Sequence, residues 1–188
     1  MYIEDEKLDI INAIRVFVKL SVCTGRADVA KNLELGEGVT RRILEYLKEK
    51  NLIVSTNKGH KFTEKGISLI NEVKKNLCLK KTLDLDQYNE YKNTVILVKD
   101  YNNKKLDYKI RDTAIRNGAQ AALILVNQKE KLTFPDFEYD LNDFSKIDEA
   151  IKSENGDILI ITFAEKQHIA DISCLFAAYE VSACLGEF

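Results

Sequence analysis

The sequence predicts a mixed α+β protein with two domains, a small helical N-terminal domain with a β-hairpin and an α/β C-terminal domain. In the first part, apolar residues recur at helical spacing, whereas later runs such as TVILVKD and DILIITF are typical of buried strands. Up to Lys80 there are 15 Lys and Arg against 11 Asp and Glu, and from Lys81 onward 13 against 19. Opposite net charges favour two domains with different partners. We place the domains at 1–79 and 94–188, joined by a polar connector at 80–93.

Composition excludes several classes of protein. Over 188 residues, 45% are hydrophobic and 31% are charged, which is typical of a folded chain and not of a disordered one. No apolar run approaches the ~20 residues that cross a bilayer, and the start MYIEDEKLDI is acidic where a signal peptide is basic. We therefore expect a cytoplasmic protein that does not associate with membranes. The four cysteines and two histidines are scattered, so we expect reduced thiols, no metal site and no cofactor.

The N-terminal elements follow from the spacing of apolar residues. Helices are predicted at about 4–23 and 26–32, and a third helix follows the turn ELGEG. The strands LIVSTN and HKFTE are predicted to form a hairpin through Lys58-Gly59, and a last helix covers 67–77. The predicted core face of the third helix consists of Val39, Ile43, Tyr46 and Leu47.

The order helix, helix, helix, hairpin, helix is that of a winged helix-turn-helix, in which the third helix enters the major groove and the hairpin contacts the backbone. The stretch LGEGVTRRILEYLKEKNLIVSTNKGHKFTEKG resembles the winged-helix regulators common in archaea and bacteria. The resemblance covers residues 33–66 and implies double-stranded DNA as the partner.

The predicted DNA-binding residues lie on the third helix and the hairpin. On a helix, Val39, Ile43 and Leu47 point one way, and Arg41, Glu45 and Lys48 lie close to the opposite side. Arg42 lies at the border of the buried face. An Arg near the start of a recognition helix can contact guanine or a phosphate. Gly36 and Gly38 allow either a simple turn or a close approach to DNA. The complete set of predicted DNA-binding residues is Glu37, Thr40, Arg41, Arg42, Lys48, Lys58, His60 and Lys61.

The C-terminal elements are predicted in the order βαββαβ, followed by a long helix. A tight hairpin in the middle favours a ferredoxin-like sheet, with a flavodoxin-like sheet as the alternative. No G-x-G-x-x-G follows the first strand, which disfavours a dinucleotide-binding fold. The final helix is apolar on two sides, with Ile169, Ile172, Phe176 and Tyr179 on one and Ala170, Cys174, Ala177 and Val181 on the other. Because both sides need covering, one side can pack on the sheet and the other needs the N-terminal domain or a second subunit; we favour a homodimer.

The stretch IRDTAIRNGAQAALILV, with LTFP after it, resembles an archaeal family that joins a winged helix to a C-terminal domain of unknown function. The matching residues are Arg111, Asp112, Ala114, Ile115, Gly118, Ala119 and Pro135. The candidate ligand or interface residues in this half are Arg111, Asp112, His168 and Asp171. Arg111 and Asp112 also suit local helix stabilisation, and no nucleophile or second cluster accompanies His168.

These observations favour a DNA-binding transcriptional regulator whose C-terminal domain dimerises and can sense a small-molecule effector. The alternative is a protein-interaction module of a larger assembly whose winged helix does not bind DNA. We do not expect an enzyme, because no nucleophile–base pair or set of metal ligands is present.

Overall fold

The computed structural model describes residues 2–20, 25–81, 83, 90–99, 106, 109–135 and 144–188. The chain is a mixed α+β protein in which helices precede a sheet-containing C-terminal region, as predicted. It divides into a helical unit, Met1–Lys74 with Glu187–Phe188, and a sheet unit, Lys75–Gly186. Most of the predicted connector at 80–93 lies outside the described residues. None of the described helices is both long and apolar enough to cross a membrane.

The helical unit contains four α-helices and one antiparallel hairpin among its described residues. Its core forms where α1 packs against the second and third helices, and Phe17 lies at its centre with no exposed surface. The Phe17 ring makes edge contacts with Phe62 and Phe188, at centroid distances of 4.9 and 5.0 Å. The elements are α1 (Tyr2–Leu20), α2 (Arg26–Leu33), α3 (Glu37–Glu49), β1 (Ile53–Thr56), β2 (Gly59–Phe62) and α4 (Glu64–Asn76).

The buried face of α3 differs from the predicted one. Its buried residues are Thr40, Ile43, Leu44 and Leu47. Val39, which we expected in the core, is 36% exposed, whereas Thr40 is completely buried. The Thr40 hydroxyl donates to the Gly36 carbonyl oxygen at 3.1 Å, which satisfies the polar group that burial removes from water. The expected exposure of Thr40 is therefore wrong.

The hairpin turn lies one residue earlier than predicted. Thr56 pairs with Gly59, so Asn57 and Lys58 form the turn and Gly59 begins β2. Gly59 has a φ of 115°, a conformation that glycine adopts without steric cost.

The sheet unit is built on one five-stranded sheet whose strand pairs are all antiparallel. The strand order is β3-β4-β7-β5-β6. β3 occupies a segment where the end of a helix and the start of a connector were expected. The strands are β3 (Leu77–Lys81), β4 (Lys92–Val98), β5 (Ala121–Gln128), β6 (Lys131–Thr133) and β7 (Ile158–Ala164). The helices are α5 (Lys109–Arg116), α6 (Ser145–Ile151) and α7 (Gln167–Val181), followed by a 3-10 helix (Cys184–Glu187).

This strand order corrects the predicted ferredoxin-like sheet, in which β6 would lie between β4 and β5. Here β7 takes that position and β6 lies at the edge. Every residue of β7 is buried, as a central strand requires, whereas β6 has three residues and begins at the exposed Lys131. The flavodoxin-like alternative is also wrong, because such a sheet is parallel.

Helices cover both faces of the sheet. On one face, Ile147 and Ile151 of α6 join a core with Leu97, Leu159 and other alternate strand residues. α7 packs on the opposite face, where the Thr162 hydroxyl donates to the Ala170 carbonyl oxygen at 2.8 Å. The sheet unit thus has a helix–sheet–helix arrangement.

The two apolar sides of α7 are covered to different extents. The side that includes Ala170 and Cys174 is buried on the sheet. On the other side, Phe176 is buried while Ile169, Ile172 and Tyr179 are half-buried. Part of that cover comes from α5, which packs on α7. The homodimer stays a prediction. The second apolar side of α7 is less exposed than the sequence suggested, so less apolar surface remains for a second subunit to cover.

Candidate functional site

Basic side chains from three elements of the helical unit converge on one concavity, which we call the basic groove. It has a volume of about 460 Å³. Its lining residues are Arg26 at the start of α2, Arg41, Leu44, Glu45 and Lys48 of α3, and His60 of β2. Three of the predicted DNA-binding residues, Arg41, Lys48 and His60, therefore lie together.

The two arginines of the basic groove are exposed and have no partner among the residues that the structure describes. Neither Arg26 nor Arg41 forms an ion pair or hydrogen bond with any other residue in the described part of the chain. Their guanidinium groups keep their donors available, and a guanidinium fits carboxylate, phosphate and the guanine edge through paired hydrogen bonds. The groove thus presents uncompensated positive charge.

One carboxylate lies among these cations. Lys48 Nζ is 3.0 Å from Glu45 Oε1, and the two side chains are 29% and 57% exposed. Such a half-exposed pair on a helix orients both side chains and contributes at most about 0.5 kcal/mol to stability. The net charge of the groove is therefore set by Arg26 and Arg41.

Strand alternation divides the hairpin residues between two faces. His60 and Phe62 share a face of β2, and Phe62 packs on Phe17 in the core while His60 lines the basic groove. Lys61 is on the other face and is exposed, as is Lys58 in the turn. Lys58 and Lys61 thus belong to the exposed hairpin and do not line the groove.

The remaining predicted DNA-binding residues on α3 have other surroundings. Arg42 is 2.6 Å from Asp9 of α1 in an ion pair, and its side chain is 65% exposed. Thr40 is completely buried and therefore not available to contact DNA, so its prediction as a DNA-binding residue is wrong. Glu37 is exposed in the first turn of α3, where a carboxylate interacts favourably with the helix dipole.

Sequence reasoning missed Arg26 as a residue of this groove, and it placed Glu45 on the side of Arg41 and Lys48 without counting it among the DNA-binding residues. Arg26 opens a short helix and shows no periodic relation to the residues of α3. Glu45, however, is four positions after Arg41 and three before Lys48, so helical spacing alone placed it on their side.

The four candidate ligand or interface residues of the sheet unit lie on α5 and α7. Asp171 Oδ1 accepts hydrogen bonds from the Thr94 hydroxyl at 2.7 Å and from Gln167 Nε2 at 3.1 Å, which links α7 to β4. Arg111 is exposed on α5, and Asp112 is half-buried in its first turn. His168 is half-buried near the start of α7.

The described residues contain no group of three or more His, Cys, Asp or Glu placed to hold a metal ion. Cys174 and Cys184 are buried free thiols. Burial raises the pKa of Cys174 to about 12, so this thiol is protonated and unreactive at neutral pH. The side chains of Cys23 and Cys78 lie outside what the structure describes.

Comparisons with known proteins match both parts of the chain. Residues 88–181 match the family described as Domain of unknown function (DUF4443), and residues 8–68 match the PH0730-like, N-terminal domain. Among solved structures, the chain is similar to "Hypothetical protein PH0730 from Pyrococcus horikoshii OT3", with a TM-score of 0.74 and 27% identity. That similarity covers 92% of this chain and 91% of the other. No curated protein matches the chain.

The DUF4443 match spans half of the chain and includes α5 and α7, and a solved relative of nearly equal extent is an archaeal protein. The expectation of a C-terminal domain of unknown function, drawn from the stretch around Arg111, is confirmed. The chain belongs to the family of proteins that carry the DUF4443 domain of unknown function.

Proposed function

We propose that the protein is a transcriptional regulator that binds double-stranded DNA through its helical unit, used as a winged helix-turn-helix. One observation carries the proposal. Arg26 and Arg41, which are unpaired within the described part of the chain, converge with Lys48 and His60 on one exposed groove. Cations that lie close together without a carboxylate beside each of them repel one another in the free protein. Binding of an anionic partner removes this repulsion.

The arrangement of elements supports DNA in preference to a small anion. α3 follows α2 after a short turn, and the β1–β2 hairpin comes next in the chain, as in a winged helix. In this geometry α3 enters the major groove, with Arg41 in its first turns. Arg26 of α2 and Lys58 and Lys61 of the hairpin contact phosphates on either side.

Dimerisation is part of the proposal, because helix-turn-helix proteins bind two-fold operators in pairs and a dimer doubles the phosphate contacts. Analytical ultracentrifugation, with and without duplex, measures it. Sensing of a small molecule by the sheet unit stays a prediction, which a thermal-shift screen of metabolites tests through stabilisation by bound ligand.

The decisive experiment measures duplex affinity by fluorescence anisotropy over a salt series. We expect log affinity to fall with log salt by about 0.9 for each phosphate contacted. Arg41→Ala should weaken binding about tenfold or more, since a good arginine–base contact contributes about 1–3 kcal/mol.

Arg42→Ala is the matched control, because Arg42 is paired with Asp9 and lies outside the basic groove. We expect a clearly smaller loss of affinity than for Arg41→Ala. Absence of duplex binding at low salt by the folded protein would reject the proposal and favour the protein-interaction alternative.

A further inference from the structure

We propose that Glu45 determines the base sequence recognised in the basic groove, by accepting a hydrogen bond from the amino group of a cytosine next to the base contacted by Arg41. The inference rests on the proposed duplex binding and assigns a specificity residue within it.

Glu45 lies in the basic groove beside Arg41 and Lys48. Glu45 follows Arg41 by one helical turn and precedes Lys48 by three residues, and all three line the basic groove. Residues four apart on a helix are about 5–6 Å from each other. That distance is comparable to the rise of one or two base pairs, so Arg41 and Glu45 reach neighbouring bases.

The negative charge of Glu45 is unusual for a groove that binds phosphates. A groove that contacted phosphates alone would gain nothing from a carboxylate, because carboxylate and phosphate repel each other. Glu45 is nevertheless 57% exposed on this surface. Its carboxylate is therefore placed to face base edges, which carry hydrogen-bond donors, and not the sugar–phosphate backbone.

The hydrogen-bonding capacity of a carboxylate selects the base. An ionised carboxylate accepts hydrogen bonds and donates none. In the major groove, guanine presents two acceptors and thymine presents one, so both disfavour Glu45. Adenine presents its amino group beside the N7 acceptor, whereas cytosine presents the amino group alone. Cytosine is thus the base that a carboxylate approaches without facing a lone pair on the same base.

Lys48 orients the carboxylate for this contact. Its Nζ lies 3.0 Å from Oε1 of Glu45, so one carboxylate oxygen is engaged and the other remains for the base. The pair also reduces the repulsion between Glu45 and nearby phosphates. Lys48 is therefore a positioning residue for Glu45.

Selection of bound duplexes from a random pool tests the inference. For the wild type we expect cytosine at one position beside a preferred guanine. Glu45→Gln should shift that position from cytosine towards adenine, because an amide pairs with adenine through a donor and an acceptor. It should also raise affinity for unrelated duplex several-fold, since a repulsive charge is lost. Glu49→Gln removes a charge from an exposed residue of the same helix outside the basic groove and should leave the base preference unchanged.

Lys48→Gln gives a second, independent readout. We expect weaker binding to all duplexes and a weaker preference for cytosine, because Glu45 is intact but its carboxylate is no longer oriented by Lys48. Wild-type binding with the same base preference in Glu45→Gln would overturn the inference and leave the proposed function standing. A folded wild type that binds no duplex would reject both.

Discussion

Arg41 and Arg42 are adjacent in the chain and differ in what surrounds them. Arg42 is held by Asp9, whereas Arg41 is unpaired among the described residues and shares its groove with Arg26. A salt bridge already formed in the free protein must be broken or shared before the same guanidinium binds a phosphate. The unpaired arginines are therefore the stronger candidates for contact with an anionic partner.

Arg26→Ala should weaken duplex binding to a similar extent for all sequences, because Arg26 is assigned to the phosphate backbone. The slope of log affinity against log salt should become less steep by about 0.9, which corresponds to the loss of one phosphate contact. Lys31→Ala is the matched control, since Lys31 is an exposed cation of α2 that does not line the basic groove. A sequence-dependent loss for Arg26→Ala would assign it to base recognition instead.

Gly38→Ala separates the two interpretations of Gly38, which lies in the first turn of α3. An added Cβ at Gly38 meets nothing within 4 Å, and alanine is better than glycine in a helix by about 1 kcal/mol. We expect chemical denaturation to give unchanged or higher stability. If the backbone at Gly38 approaches DNA closely, the duplex affinity of Gly38→Ala should nonetheless fall. Unchanged affinity would show that Gly38 contributes only to the local chain conformation at the start of α3.

Gly66 provides the contrasting case within the same unit. A Cβ on Gly66 would lie 2.0 Å from the Leu52 carbonyl oxygen, which is a clash with backbone. Gly66→Ala should therefore lower the free energy of unfolding strongly, by about 3 kcal/mol or more, since the helix must move away. Denaturant titration of Gly66→Ala and Gly38→Ala side by side measures the difference.

Residue-level prediction from sequence failed where a polar residue takes a core position. Thr40, Ile43, Leu44 and Leu47 are spaced for one face of a helix, yet hydrophobicity favoured Val39 over Thr40. The hydroxyl of Thr40 is satisfied by Gly36 O, which removes the usual penalty for burial. Such local hydrogen bonding is invisible in an apolar pattern, and so the expected face was rotated.

At the scale of elements, the loop between α6 and β7 is organised by buried polar groups. Asn127 Nδ2 donates to the hydroxyl and the carbonyl oxygen of Ser153, and the Ser153 hydroxyl bonds to Asp148. Asp157 is 4% exposed and accepts from the Glu154 backbone N–H at 2.8 Å. These bonds hold the start of the central strand β7.

Burial raises the pKa of Asp157, against the opposing effects of the Glu154 N–H and Lys99. The folded state therefore binds this proton more tightly than the unfolded state, and ionisation near neutral pH costs stability. Asp157→Asn should be more stable than the wild type at pH 7, with a difference that shrinks as pH falls through the raised pKa. Glu149→Gln, which changes an exposed carboxylate of α6, should show no comparable trend in urea titrations across pH.

Helices and strands were easier to predict than their arrangement. Continuous apolar runs identified β4, β5 and β7, because residues buried on both sides must be apolar throughout. Strand order depends on which strand is covered on both edges, and that is decided by long-range pairing. β3 was missed because LCLKK ends in two lysines and directly follows a helix. The basic groove was only partly predicted, since Arg26 joins it through tertiary packing.

At the scale of the whole molecule, the structural boundaries reduce the charge contrast between the two halves. The helical unit has 13 Lys and Arg against 12 Asp and Glu, because Lys75 and Lys80 belong to the sheet unit and Glu187 to the helical unit. The sheet unit has 15 against 18. The proposed duplex binding by the helical unit must then depend on where its cations lie and not on its net charge.

The helical unit also depends on residues from the far end of the sequence. Phe188 is 4% exposed, its ring packs on Phe17, and its carbonyl oxygen accepts a hydrogen bond from the Tyr46 hydroxyl. Tyr46 belongs to α3, so Phe188 contacts the helix that carries Arg41. Packing of this kind closes a loop through the entire chain, and its contribution cannot be recognised from local pattern.

Phe188→Ala should lower the stability of the helical unit by about 3 kcal/mol, the usual cost of removing a buried phenylalanine ring. Hydrogen exchange followed by mass spectrometry localises the effect. Peptides from α1 and α3 should exchange faster, whereas those from β4 and β7 should keep their rates, because their core is formed by other residues. Glu187→Ala, which removes an exposed side chain next to Phe188, should leave both sets unchanged. Unchanged exchange of α1 in Phe188→Ala would show that the helical unit is complete without this residue, and duplex affinity would then be independent of it as well.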